Sequence, residues 1–488
     1  MNTMVVAMAV PVVGAIVIAL LRRLPVARDI VLVVTAVAMF GVVLTLLPLA
    51  LSGIQPSTPA LTILPGLVIQ LVVEPLGMLF ALVASGLWIA SALYAIGYMR
   101  GNDEPRQTGF HACFALSLAA TLGVAFAGNL FTLFLFYEVL TLVTYPLVTH
   151  KRDEAAIAAG RLYLIMLVGA SLMLFLPAIA WVALATGGGA FEAGGTLTAS
   201  LAAGTLSPAA TGLLLALFVF GIGKAAVMPG HRWLPAAMVA PTPVSALLHA
   251  VAVVKSGVFC IVKIVVTVFG VETLARLGTG DWLAYGAGTT VILSSLIAMR
   301  QDDLKRRLAY STISQLSYVV LAVSLFTPVA TMAATLHIVA HAFGKITLFF
   351  AAGAIYTAAH KTKISELDGI GRLMPWTMTA FAIGALAMIG VPPTAGFVSK
   401  WFLVSAALTS AHWFALGVVV VSTGLTAGYF LPIIHAAFLR DRPDDDHVHG
   451  EAPPLMVIAL TTTAVATIVV CLFPGPFLTL ARLLAGLA

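Results

Sequence analysis

GIGKAAVMPGHRWLPAAMVAPTPVSALLHAVAVVKSG, residues 221–257, is apolar on both sides of a proline-rich interruption. Lys224 stands just before the break made by Pro229, Gly230, Pro235 and Pro241, and Lys255 stands in the apolar run after it. Proline removes a backbone donor and clashes with the preceding turn, so a helix entering this stretch is interrupted. An interrupted helix with a charge beside the break is tolerated inside a membrane only where protein or a cavity surrounds it.

The rest of the chain agrees with a membrane setting. Of 488 residues, 61% are hydrophobic and 9% are charged, against about 25% charged in soluble domains. Apolar runs repeatedly exceed the length needed to cross about 30 Å of hydrocarbon. They are continuous rather than alternating, which selects helices over a barrel. The expected fold is an all-α polytopic membrane protein of about 14 spans, near 3–21, 30–51, 75–98, 110–127, 129–148, 160–184, 210–229, 242–268, 284–299, 309–326, 328–358, 375–407, 412–438 and 454–476. The run from Thr3 to Leu21 has no basic region before it and two arginines after it, unlike a cleaved signal peptide.

Lysine and arginine check that count. Eighteen of the 25 fall in loops after odd-numbered spans; Lys263, Arg276 and Arg482 fall on the other side; Lys224, Lys255, Lys345 and Lys400 fall within spans. By the positive-inside rule the odd loops are cytoplasmic and both termini face outward, in a bacterial cytoplasmic (inner) membrane. The basic residues are dispersed over short loops, so the pI near 9.3 does not indicate nucleic acid.

A second break, Gly390, Pro392, Pro393 and Gly396, interrupts span twelve, five spans after the first. Five-helix units in tandem are necessarily inverted, and paired broken helices mark an ion path in transporters. The expected divisions are 1–109 (helices 1–3), 110–268 (first repeat, helices 4–8), 269–438 (second, inverted repeat, helices 9–13) and 439–488 (loop and helix 14).

Glu138 in span five, Lys224, Lys255, Lys345 in span eleven and Lys400 after the second break are the candidate working residues. Each charge at the bilayer centre costs about 2.5–3.5 kcal/mol on insertion scales. Lysines near span ends snorkel, which suits Lys255 if span eight starts late and does not suit Lys224 or Lys345. Burial moves an ammonium towards neutrality, and a nearby carboxylate opposes the move. A Glu138–Lys224 pair that forms and separates would therefore switch a lysine between holding and releasing a proton. His337, His341 and Lys345 share a stripe at i, i+4 and i+8, drifting about 40° per step. His249 precedes Lys255 on a different face. A lone helical histidine is as often a satisfied core residue; three titratable groups on one stripe favour proton transfer. Ser311, Thr312, Ser314 and Ser317 of span ten could hold water, or serve as small packing residues.

Other chemistries are disfavoured. His337 and His341 have no nearby Cys, Asp or Glu to complete a metal site. Cys113, Cys260 and Cys471 lie in apolar runs without a CxxC pair. No phosphate loop or dinucleotide fingerprint is present. The expectation is a chain without cofactor or metal and without its own redox site, a transporter subunit rather than an enzyme. The segment Asp441 to Glu451, with His447 and His449, reads as a charged, solvated connection.

The stretch 221–257 resembles the signature of the antiporter-like subunits shared by Mrp cation/proton antiporters, respiratory complex I and membrane-bound hydrogenases. So do LKRRLAYSTISQLSY, HIVAHAFGKITLFFAAGAI and GIGRLMPWTMTAFAIGALAMIGVPPTAGFVSKW. The resemblance spans about residues 75–440. It implies 14 helices in two inverted five-helix repeats with helices seven and twelve broken. It also implies that Glu138 is the essential glutamate of helix five and Lys224 its partner. Lys255 with His249, then Lys345 with His341 and His337, form the central connection, and Lys400 lies on the exit side. SELDGIGRLMPWTMTAFAIGAL resembles the D subunit of Mrp Na+/H+ antiporters most closely. The M type of complex I carries glutamate where this chain has Lys400, and the L type and the large Mrp subunit of A type continue into a long extension. The N subunit of complex I and hydrogenase-linked subunits remain as relatives.

Two functions follow. In the first, the chain is the proton-translocating subunit of a hetero-oligomeric Na+/H+ antiporter. In the second, it is a proton-pumping module driven by a redox partner in a complex I-type or hydrogenase assembly. A non-conducting scaffold would not need the charges. Without an acidic cluster in the spans, the chain is expected to move protons, with the cation path in a partner or at an interface.

Overall fold

The computed structural model describes residues 2–64, 67–443 and 449–487, and the side chains of Leu64 and His249 lie outside the described residues. In chain order the principal helices are α1 (Thr3–Leu20), α2 (Pro25–Leu51), α3 (Pro75–Gly101), α4 (Gln107–Ala125), α5 (Leu130–Val148), α6 (Glu154–Thr186), α7 (Pro208–Gly221), α8 (Val253–Phe269) and α9 (Trp282–Met299). They continue as α10 (Leu304–Val323), α11 (Pro328–Ala359), α12 (Pro375–Ile389), α13 (Ala395–Thr409), α14 (Trp413–Leu439), α15 (Pro454–Leu472) and α16 (Gly475–Leu484).

Among the described residues ten helices are long and apolar enough to cross a membrane, or eleven if α8 is joined to Val271–Leu277 across a 76° bend. The remaining three expected spans are not straight apolar rods. α7 has only 14 residues. α10 has 20 residues but carries LKRRLAYSTISQLSY, and its polar groups are covered by protein on nearly every side. Span twelve is two 15-residue helices, α12 and α13. These are the segments that a bilayer alone would not stabilise; neighbouring helices do.

The most apolar window of α11 is 94% buried, against 33% in α1 and α2. α11 is therefore the central rod, and α1 and α2 keep an apolar face towards lipid. The loops divide between two ends as alternating spans require. Lys151, Ala240, Asp303, Lys305 and Lys361 line one cavity. Gln55, Glu74, Glu192, Glu272 and Pro328 line another, and the loops carrying them are the complementary set. One departure from an all-helical chain is a small antiparallel hairpin, β1 (Leu61–Leu64) with β2 (Leu67–Ile69). Its strands, LTIL and LVI, are rich in β-branched residues and follow prolines, which disfavours helix.

The first break differs from expectation. α7 stops at Gly221, ahead of Lys224, not at Pro229. Lys224 lies in a 3₁₀ turn, Gly223–Ala225, followed by Ala226 at φ +54°. Tertiary contacts stabilise the early stop. The Tyr137 hydroxyl accepts from the Lys224 backbone N–H at 3.2 Å, and Trp233 Nε1 donates to the Gly223 carbonyl at 3.1 Å. Span eight is also less regular than expected. Thr242–Ala246 leads into a π turn, Leu247–Val251, and α8 begins only at Val253. The second break falls between α12 and α13, with Gly390 at φ +91°.

Candidate proton relay

Lys224 is fully buried. Its Nζ donates to the Tyr137 carbonyl and lies 3.1 Å from the centre of the Tyr137 ring. The expected Glu138–Lys224 ion pair is not closed in this structure. Glu138 acts on Lys224 through space, while its Oε1 is buried without a hydrogen-bond partner. Helix geometry explains the substitution: Tyr137, one residue earlier on α5, faces the break, and its carbonyl and ring reach the ammonium first.

Lys255 is fully buried and its Nζ hydrogen-bonds His341 Nδ1. His341 lies on α11, so this contact joins α8 to α11. The His337 and His341 rings are 6.4 Å apart. His337 Nε2 is 3.1 Å from Gln315 Oε1 on α10, and its Nδ1 is 2.9 Å from Ser399 Oγ on α13. Lys400 follows one residue after Ser399. Its Nζ donates to the Ile389 carbonyl at 2.9 Å and to Thr423 Oγ1 at 3.2 Å, and lies 4.9 Å from the Tyr318 ring centre. Ile389 is the last residue of α12, so a cation sits on the negative end of a half-helix, a favourable place for positive charge.

The stripe of α11 meets several neighbours: Lys345 donates to Ser311 Oγ at 2.7 Å and the Leu308 carbonyl at 3.2 Å on α10, the helix that His337 also meets, while His341 meets Lys255 on α8. Ser311 Oγ is in turn 3.0 Å from Tyr429 Oη. His337 and Lys345 thus both face α10, and His337 reaches α13 as well. His337 and His341 are directed to different partners, so they do not converge on one metal. His249, assigned a connecting role from the sequence, has its side chain outside the described residues. Of the span-ten hydroxyls, Ser311 takes part; Ser314 pairs with Ser295 at 2.9 Å as packing.

Sequence reasoning missed Tyr137, Gln315, Ser399 and Thr423. Gln315 was within reach, because it lies inside the quoted STISQLSY; Ser399 adjoins Lys400. It also misjudged the burial of two cations. Lys263, counted with the side opposite the lysine-rich loops, is fully buried in α8 and paired with Glu74 at 3.0 Å. Arg28, assigned to a loop, is buried in α2 beside Asp29, which also binds Arg100. In the segment 441–451, Arg372 meets Asp441 at 3.4 Å and Glu451 accepts from the Trp376 N–H at 2.7 Å; residues 444–448, His447 among them, lie outside the described residues. Outside the spans, burial pushes the Glu104 carboxyl up against the pull of Lys151, Lys305 and Arg106.

Hydrogen-bonded ionisable groups running through the interior of a helical membrane bundle define the class, an ion-transport membrane protein. Residues 127–426 match the family described as NADH:quinone oxidoreductase/Mrp antiporter, TM, and the chain belongs to that family. Every candidate from Glu138 to Lys400 lies inside the match. The chain is 36% identical over 383 residues to the NADH-quinone oxidoreductase subunit N of Desulforudis audaxviator (strain MP104C), covering 77% of this chain and 74% of that one. It is 35% identical over 437 residues to a probable K(+)/H(+) antiporter protein of Rhizobium meliloti (strain 1021), covering 85% of this chain but only 41% of that longer protein. The fold matches a chain in the structure of the Mrp complex from Dietzia sp. DQ12-45-1b with a TM-score of 0.86, 23% identity and coverage of 99% and 96%. The chain is thus an antiporter-like subunit of the Mrp, complex I and hydrogenase family.

Proposed function

We propose that this chain is the proton-translocating subunit of a multisubunit Na+/H+ antiporter of Mrp type, in the place of its D subunit. It sits in a bacterial inner membrane with both termini outward and works with other membrane subunits. Protons move along two inverted five-helix units, from Glu138 and Lys224 through Lys255, His341 and His337 to Lys400, with Lys345 as a side station on α10 and His249 near Lys255. The observation that carries the reading is the set of acceptors. Lys224, Lys345 and Lys400 are held by carbonyls and hydroxyls and Lys255 by an imidazole. At Lys255, Lys345 and Lys400 an ammonium held by neutral groups can give up its proton without leaving a buried anion behind, whereas Lys224 has the Glu138 carboxylate nearby.

The second reading, a proton-pumping subunit of a complex I-type or hydrogenase assembly, is favoured by the 36% identity to a subunit N. Purified complex in vesicles separates the two. Na+-dependent collapse of a preset pH gradient, without quinone or electron donor, is the expected result, and K+ belongs in the same experiment. No cation-dependent collapse, with flavin or iron–sulfur subunits co-purifying, sinks the antiporter reading. Glu138→Gln and Lys224→Ala are expected to abolish transport; intact transport in both removes the relay.

A further inference from the structure

Lys263 is a fully buried cation that the relay does not use. Its Nζ lies 3.0 Å from Glu74 Oε2, donates to the Ala127 carbonyl at 2.6 Å and is 4.3 Å from the centre of the Phe191 ring. Glu74 stands at the start of α3, and its side chain is 12% exposed while that of Lys263 is fully covered. Glu74 and Phe191 line a cavity of about 550 Å³ at the end of the bundle opposite the lysine-rich loops; Lys263 does not reach it. The pair is therefore the floor of the cavity. On its far side, one turn earlier on α8, is Cys260, also fully buried. Gly257, three residues before Cys260, packs against the main chain of Lys224 and Ala225, so along α8 Cys260 stands between the Lys224 turn and Lys263.

We propose that the Lys263–Glu74 ion pair is a closed gate between the buried lysines and this water-accessible cavity, and that the pair parts when the first unit exchanges protons with the outer face. Naming the outer face rests on the orientation given under Proposed function; the gate itself does not. Three features suit the role. The two partners lie on separate helices, so relative movement of α3 and α8 separates them. The cavity gives the carboxylate somewhere to go, with Arg276 on its wall as an alternative cation and Glu192 and Glu272 as competing anions. Lys263 and Lys255 lie eight residues apart on α8, about 12 Å along the axis, so a shift of this helix is felt at the contact with His341.

Cys260 is a built-in reporter. In the intact complex carrying Cys113→Ser and Cys471→Ser, a small membrane-impermeant methanethiosulfonate is applied from either side of sealed vesicles. The closed gate predicts little labelling of Cys260. Glu74→Gln is expected to raise the labelling rate by about tenfold or more from the cavity side alone, while Lys263→Arg, which keeps the pair, leaves it low. Should Glu74→Gln fail to assemble, Glu74→Asp, which lengthens the pair but keeps its charge, is expected to give a smaller rise from the same side. Unchanged labelling in an assembled Glu74 variant, or equal labelling from both sides, overturns the gate. Labelling needs no turnover, so a complex that moves no protons yet shows the Glu74-dependent rise overturns the transport reading and leaves the gate standing.

Discussion

Gly257 packs α8 directly against the backbone of the broken helix. A Cβ at this position would lie 2.2 Å from the Ala225 nitrogen, 2.4 Å from the Lys224 carbonyl carbon and 2.8 Å from the Ala225 Cα. All three are main-chain atoms and cannot rotate away. Ordinary contact begins near 3.4 Å, so Gly257→Ala forces α8 and the Lys224 turn apart by about 1.2 Å. Overpacking of this kind costs about 1–3 kcal/mol. The larger effect is positional, because moving the turn disturbs the contacts of Lys224 with Tyr137 and of Trp233 with Gly223. Displacement of a working group by about 1 Å can cost about 100-fold in rate. Gly257→Ala is therefore expected to assemble, to unfold at lower temperature, and to lose about two orders of magnitude of proton transport, read with a pH dye inside vesicles. Gly286→Ala on α9, where nothing lies within 4 Å, is the control; it should transport normally and gain about 0.5–1 kcal/mol of helix stability. Normal transport by Gly257→Ala would refute the claim that the seating of Lys224 on α8 matters.

His337→Phe keeps the ring and removes the bonds to Gln315 and Ser399; transport should fall at least tenfold, by analogy with the loss of a positioned acid–base group, worth about 10²-fold or more, while the complex still assembles on a sizing column. Ser311→Ala takes one of two partners from Lys345, and a hydrogen bond to a charged group is worth about 1.5–3 kcal/mol; lower thermal stability together with slower transport is expected, and an unchanged melting curve would dismiss the contact. Outside the membrane, hydrogen bonds from Ser365 hold the Asp302 carboxyl below its ordinary range. A folded pKa below the unfolded one means the stabilisation is present above about pH 4 and is lost as pH falls through the folded value. Ser365→Ala should lower the melting temperature at neutral pH, and the difference from the parent should shrink in acid; a difference independent of pH would contradict the assignment.

The features legible in the sequence were those with a large physical cost. A charge in an apolar run is conspicuous, so Glu138, Lys224, Lys255, Lys345 and Lys400 stood out, as did the paired Pro/Gly breaks. What each lysine binds was not legible, because half of the acceptors are main-chain carbonyls, which no residue type marks. Tyr137 and Ile389 supply them through backbone position alone. The exact stop of α7 was hidden for a related reason: proline announces a break by its chemistry, whereas Gly221 ends the helix because Tyr137 and Trp233 offer better partners from elsewhere in the fold. Lys263 was counted with the outward side and not among the buried charges because it lies near the end of an apolar run, and its partner Glu74 comes from a distant helix start.

The acceptors also separate two uses of buried lysine in one bundle. Lys224, Lys255, Lys345 and Lys400 form no ion pair among the described residues; each ammonium rests on carbonyl, hydroxyl or imidazole. Loss of a proton from Lys255, Lys345 or Lys400 converts a charged contact into a neutral one and leaves no carboxylate stranded; Lys224 differs in having Glu138 nearby. Lys263 rests on Glu74, and losing its proton would leave a largely buried anion uncompensated, a strongly unfavourable state. The first arrangement suits groups that exchange protons repeatedly, and the second suits a contact that stays charged and closed until something moves it. At the first break Lys224 takes the Tyr137 carbonyl of the intact α5, and Lys345, within an unbroken α11, takes its partners from α10, so a relay lysine here requires neutral acceptors and draws on a break only where one supplies the acceptor.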